Sequence, residues 1–110
     1  MAQSVQVYLG VPQIVKLPVF DVKTGNQVTI NQLIFTNTSV EEAKITMTIN
    51  TIDIIKDFVI PANTTKFIDV AIVLNQGDRL SLQQEKTNAI NVMINGTSES
   101  VPVNASSNFQ

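Results

Sequence analysis

Four carboxylates lie beside apolar segments, Asp53, Asp57, Asp69 and Asp78, and acid–base chemistry would have to start from them. A general acid and base must converge on one pocket, and nothing in this linear spacing brings two of them together. Asp69, between Ile68 and Val70, fits an outward strand position facing solvent or a cross-strand lysine. Asp78, in Gly77-Asp78-Arg79, fits a turn whose amides its carboxylate would accept. Glu41-Glu42 reads as a solvated loop, and a calcium site needs more clustered oxygens than either stretch offers. The chain has no histidine and no cysteine. That removes the commonest general base, the commonest zinc ligand, thiolate metal sites and disulfides. Serine and threonine abound, but a hydroxyl nucleophile needs an activating base. A lysine-activated serine is compatible with the composition, and no motif supports one. Gly25 and Gly96 stand alone, outside any phosphate-cradling glycine run. The expectation is a protein that binds or assembles without catalysis, metal or cofactor.

Composition also restricts the partners. Seven Lys and Arg against nine Asp and Glu give a net charge of −2, and the basic residues are scattered. Nucleic-acid binding needs clustered cations to displace counterions, so none is expected. No apolar run reaches the ~18 residues of a membrane span, and the first residues lack the basic and apolar regions of a signal peptide. Only 15% of residues are charged, against about 25% for soluble domains; Asn, Gln, Ser and Thr supply the polarity. The sequons at Asn37, Asn63, Asn95 and Asn104 read as turn chemistry in a chain this rich in Asn and Thr.

The elements that must position any site are strands. Val and Ile dominate the apolar half and suit a pleated surface. Val5, Val7 and Leu9 alternate with polar residues at the two-residue period of a half-buried strand. Pro12 and Pro18 lack an N–H, which assigns residues 1–20 to an edge strand or an arm able to reach a neighbouring subunit. Residues 28–36 form a strand with an irregularity near Asn31, and Ile45, Met47 and Ile49 alternate with Thr46, Thr48 and Asn50. Residues 40–43 admit a short helical turn capped by Ser39. In residues 66–73, Ile68, Val70 and Ile72 share one face, while Phe67, Ala71 and Val73 share the other. A strand apolar on both faces is central and covered on both sides, or touches another chain. Turns are expected at residues 23–26 and 75–78, and Asn95-Gly96 is the strongest hairpin signal, ending a strand over 89–94. Val101-Pro102-Val103 would add a short edge strand before a polar tail at 104–110. About seven to eight short strands with turns between them predict an all-β antiparallel sandwich over 21–103, Ig-like or jelly-roll-like.

Three stretches carry a resemblance: Phe58-Val59-Ile60-Pro61-Ala62-Asn63-Thr64-Thr65, Val73-Leu74-Asn75-Gln76-Gly77-Asp78-Arg79-Leu80, and Asn88-Ala89-Ile90-Asn91-Val92-Met93-Ile94-Asn95-Gly96. Their order and spacing, with Ile34-Phe35-Thr36-Asn37-Thr38-Ser39 upstream, resemble small β-sandwich virion structural proteins of tailed bacteriophages over residues 30–97. The resemblance implies a capsid decoration, head-fibre or tail-associated protein of the virion, partnered by other virion proteins and by copies of itself. It carries over no catalytic residue. The residues expected at an assembly interface are Tyr8, Val11, Ile14 and Leu17 in the N-terminal part and Phe67, Ala71 and Val73 in the doubly apolar strand. A tail- or fibre-borne receptor- or carbohydrate-binding module is the competing expectation; the chain has no Trp and one Tyr, Tyr8, to act as a stacking platform.

Overall fold

The computed structural model describes residues 2–101. Its eight strands are β1 (Gln3–Gly10), β2 (Leu17–Asp21), β3 (Asn26–Asn37), β4 (Ala43–Ile49), β5 (Ile52–Ile60), β6 (Thr65–Leu74), β7 (Arg79–Gln84) and β8 (Ile90–Ser100). They form two four-stranded antiparallel sheets, β1-β8-β3-β6 (sheet I) and β2-β7-β4-β5 (sheet II). Consecutive strands alternate between the sheets except at β4–β5, and first and last strands pair. That order is the jelly roll, a double-sheet solution to the β-edge problem, and it replaces the Ig-like alternative. No helix occurs among the described residues; residues 39–41 form bends rather than a helical turn.

One core fills the space between the sheets, supplied by the inward positions of each strand. Val28, Ile30, Leu33 and Phe35 of β3 are buried, as are Ile90, Val92 and Ile94 of β8. From sheet II come Ala43, Ile45, Met47, Ile60, Leu80 and Leu82. Phe35 and Phe58 meet across the sheets with ring centroids 6.0 Å apart and planes tilted by 54°, an arrangement that adds about 0.5–1.5 kcal/mol beyond area burial.

Among several register shifts, one lies in the middle of sheet I. β3 carries an extra residue opposite β8 between Ile30 and Gln32, so Asn31 is the irregularity its sequence suggests. Opposite it, Gly96 brings its backbone so close to β3 that an added Cβ would lie 2.2 Å from the Thr29 carbonyl oxygen. This corrects the expected hairpin: Asn95-Gly96 lies inside β8, and close approach, not a turn, requires the glycine. The second correction concerns β6, which is an edge strand paired with β3 alone and not a central one. β1 and β2, the strands flanking Pro12, are edges too.

The loops are fixed by side chains. Asn37 is 1% exposed; its Nδ2 donates to the carbonyls of Glu41 and Ile60, and its Oδ1 accepts from the Ser39 amide and hydroxyl. Asp78 Oδ2 accepts from the Asn75 amide and Oδ1 from Asn50 Nδ2, with Gly77 at φ 86. Buried Gln84 accepts from the Ile90 amide and donates to the carbonyls of Pro12 and Ile90. Val103, the sequon at Asn104 and the polar tail at 104–110 lie outside the described residues.

Candidate functional site

The four carboxylates go to separate places. Asp53, on the outward face of β5, accepts from Thr48 Oγ1 at 2.7 Å and pairs with Lys16 Nζ at 3.0 Å. The Thr48 hydroxyl, then the Lys16 ammonium, hold its carboxyl below the usual carboxylate range. Asp57, at φ 50, donates its amide to Thr46 Oγ1. Asp69 is exposed on β6 opposite Gln32, and Asp78 closes the turn before β7. Arg79 pairs with Asp21 at 2.8 Å, which raises the guanidinium further above its ordinary value. No group of acidic residues able to hold a metal occurs among the described residues.

The outward face of sheet II is mostly polar and partly covered by its own chain, with Val59 beside Lys44 still 40% exposed. Pro18, Ser81, Thr48 and Asp53 line up in register across β2, β7, β4 and β5. Ser81, Thr48 and neighbouring Thr46 point away from the core yet are only 6%, 1% and 5% exposed. The link between β1 and β2 holds this side: Lys16 reaches Asp53 across the sheet, Gln83 donates to the Ile14 carbonyl and the Gln84 amide to that of Gln13. Beside Ile14 a polar depression of about 250 Å³ is lined by Lys44, Thr46, Lys56, Asp57 and Gln83.

Sheet I carries large apolar side chains on the outside. Leu9 pairs with Met93, Met93 with Ile34, and Ile34 with Phe67, so an apolar row crosses all four strands on the outward face. Leu9 is 62% and Phe67 68% exposed; Met93 and Ile34 are half-buried between them. Polar rows flank it. On one side Asn91, Thr36 and Thr65 are in register, with the two threonine hydroxyls 3.0 Å apart. On the other lie Gln6, Asn95, Gln32 and Asp69, where Asn95 Nδ2 donates to Gln32 Oε1 at 3.2 Å. Ser4, Thr97, Thr29 and Val73 follow. Asp69 is the sole charge in these rows. Depletion of charge around a core of large apolar side chains is the compositional mark of a protein–protein interface. The surface is also sculpted: Leu9, Ile34, Thr36, Asn91, Val92 and Met93 line a depression of about 130 Å³, while Phe67 projects from the β6 edge.

The residues expected at an interface divide between two places. Phe67, Ala71 and Val73 share the exposed outward face of β6. Val11, Ile14 and Leu17 are exposed on the β1–β2 link and the start of β2. Tyr8 is half-buried against the core, where burial raises its phenol pKa, and its ring covers Gly10. Simple alternation misses Leu9, because a register shift between Gln6 and Tyr8 turns it from the side of Val5 and Val7 to the outside. Ile34 and Met93 belong to strands apolar enough to read as fully covered; only the cross-strand register puts them in one row.

No family model matches the sequence, and no curated protein matches it either. Among solved structures, the chain is similar to one in the structure of infectious bursal disease virus, Gx strain, with 17% identity and a TM-score of 0.50. The match covers 88% of this chain and 29% of that one. A chain from the Gt strain structure gives 11% identity and a TM-score of 0.43, over 89% of this chain and 29% of that one. At such identities the likeness is one of fold. This chain spans less than a third of the length of the chains it matches.

Proposed function

We propose that this chain is a non-catalytic virion structural protein, a capsid decoration or head-associated protein, that assembles through the outward face of sheet I. The observation that carries the reading is a jelly-roll sandwich with one outer face mostly polar and the other crossed by an exposed apolar row. Jelly rolls serve in viral capsids, lectins and cupins, so fold alone does not select among them. Three further points favour the virion. Residues 30–97 resemble tailed-phage virion proteins, the solved structure matched in fold is that of a virus, and histidine and cysteine are absent. Phage origin rests on the motif order in residues 30–97, a resemblance that implies head and tail positions alike. The partners are other virion proteins and further copies of this chain. Antibody labelling of purified particles tests this: label on the heads is expected, and particles free of the protein overturn it.

A tail- or fibre-borne carbohydrate-binding module has one observation in its favour, the polar depression between Lys44, Lys56 and Gln83. Tyr8, packed against the core, offers no stacking platform there. Specific hits on a glycan array, lost in Lys56→Ala, would replace the assembly reading.

A further inference from the structure

The depression on sheet I is lined from β1, β8 and β3, and the Phe67 ring projects from β6 beside it. Leu9 borders the depression on β1, Met93 and Asn91 on β8, and Ile34 and Thr36 on β3, while Phe67 stands outside it at the β6 edge. A volume of about 130 Å³ is close to the roughly 150 Å³ apolar cavity that takes up a benzene ring. A face carrying both a knob and a hole of matching size is complementary to itself when turned over. Resting on the assembly reading above, we propose that the partner of sheet I is a second copy of this chain, stacked face to face about a two-fold axis parallel to the strands. Each Phe67 then enters the depression of the other copy against Leu9, and Met93 covers Ile34.

Three quantities agree with this occupant. Aligned packing of two sheets keeps strand directions within about 30°, which leaves an apolar row lying along an apolar row. Four strands spaced about 4.8 Å apart and about nine residues long cover roughly 570 Å². Two such faces bury about 1,100–1,200 Å², the lower end of what specific interfaces need. Charge offers little opposition, since Asp69 is the only ionised group in the facing rows and sits at the β6 edge, outside the row. The contact is isologous, each Phe67–Leu9 pair occurring twice.

The full chain, which has no cysteine of its own, can be tested by sedimentation velocity and by directed disulfides. Concentration-dependent dimerisation is expected, weakened at least tenfold by Phe67→Asp and by Leu9→Asp. Ile52→Asp, at a 64% exposed position on β5, should leave it unchanged. Circular dichroism shows whether each variant is folded; highly exposed positions tolerate such changes. Leu9→Cys mixed with Phe67→Cys should give the mixed disulfide in preference to either homodisulfide. A monomer up to millimolar concentration, homodisulfides in excess, or dimers lost in Ile52→Asp but not in Phe67→Asp would overturn the proposal. If the same face is nevertheless protected in particles, the occupant is another virion protein and the assembly reading stands.

Discussion

The two outer faces of this sandwich invert the usual assignment of side chains. On sheet II small polar residues, Thr46, Thr48 and Ser81, are buried away from the core, at 6% exposure or less. On sheet I the large apolar Leu9 and Phe67 stand more than 60% exposed. The two threonine hydroxyls can be buried because they find partners: Thr48 donates to Asp53, and Thr46 accepts from the Asp57 amide. No buried side-chain polar atom among the described residues lacks one. Sheet II thus satisfies its buried outward hydroxyls within the chain, whereas sheet I leaves large outward apolar side chains exposed. Four substitutions probe that difference, each read by chemical or thermal unfolding.

Gly96→Ala should have the largest effect, about 3 kcal/mol or more. Its methyl meets the Thr29 carbonyl at 2.2 Å, and relief requires β8 to separate from β3, which would also break the row at Met93–Ile34. A loss under about 0.5 kcal/mol would show that the two strands are not held this tightly. Thr48→Leu comes next, at about 2–3 kcal/mol, from a lost hydrogen bond and overpacking under the Lys16–Asp53 pair. If it proves neutral, sheet II is as open as sheet I.

The third probe is pH. The Asp53 carboxyl titrates below its ordinary range in the folded protein because Thr48 and Lys16 favour the ionised form. Its stabilising contribution is therefore complete above roughly pH 4 and is lost as pH falls through the lowered folded value. Wild type should melt above Asp53→Asn at neutral pH, with the gap closing in acid. A gap unchanged down to pH 2 would detach Asp53 from the partial covering of sheet II. The smallest effect belongs to Phe67→Thr, within about 0.5 kcal/mol of wild type. A large loss would mean that Phe67 supports the monomer instead of awaiting a partner.

Much of the fold was legible because local signals agreed. The Asn31 irregularity, the Asp78 turn and the alternation of Ile45, Met47 and Ile49 each reflect interactions within a few residues. Edge positions for the strands around Pro12 and Pro18 followed from a missing N–H. The candidate face was legible only in part. Phe67, Ala71 and Val73 announced a second apolar side of β6, but whether a strand is central or an edge is decided by the strands beside it. Leu9 was hidden by a one-residue register shift, which moves every later side chain to the opposite face. Gly96 looked like a turn because Asn-Gly is a turn signal wherever no neighbouring strand demands close approach. The Lys16–Asp53 pair joins residues far apart in sequence, and no local pattern reports it.

Hydroxyl-radical footprinting of the free protein, diluted until it is monomeric, and of the protein within purified particles tests the central claim most directly. Oxidation of Leu9, Ile34, Phe67 and Met93 should fall severalfold on assembly, while Ile52, Ile54 and Lys56 on sheet II keep their free-state rates. Protection confined to sheet II, with Leu9 and Phe67 still fully reactive in the particle, would contradict the account.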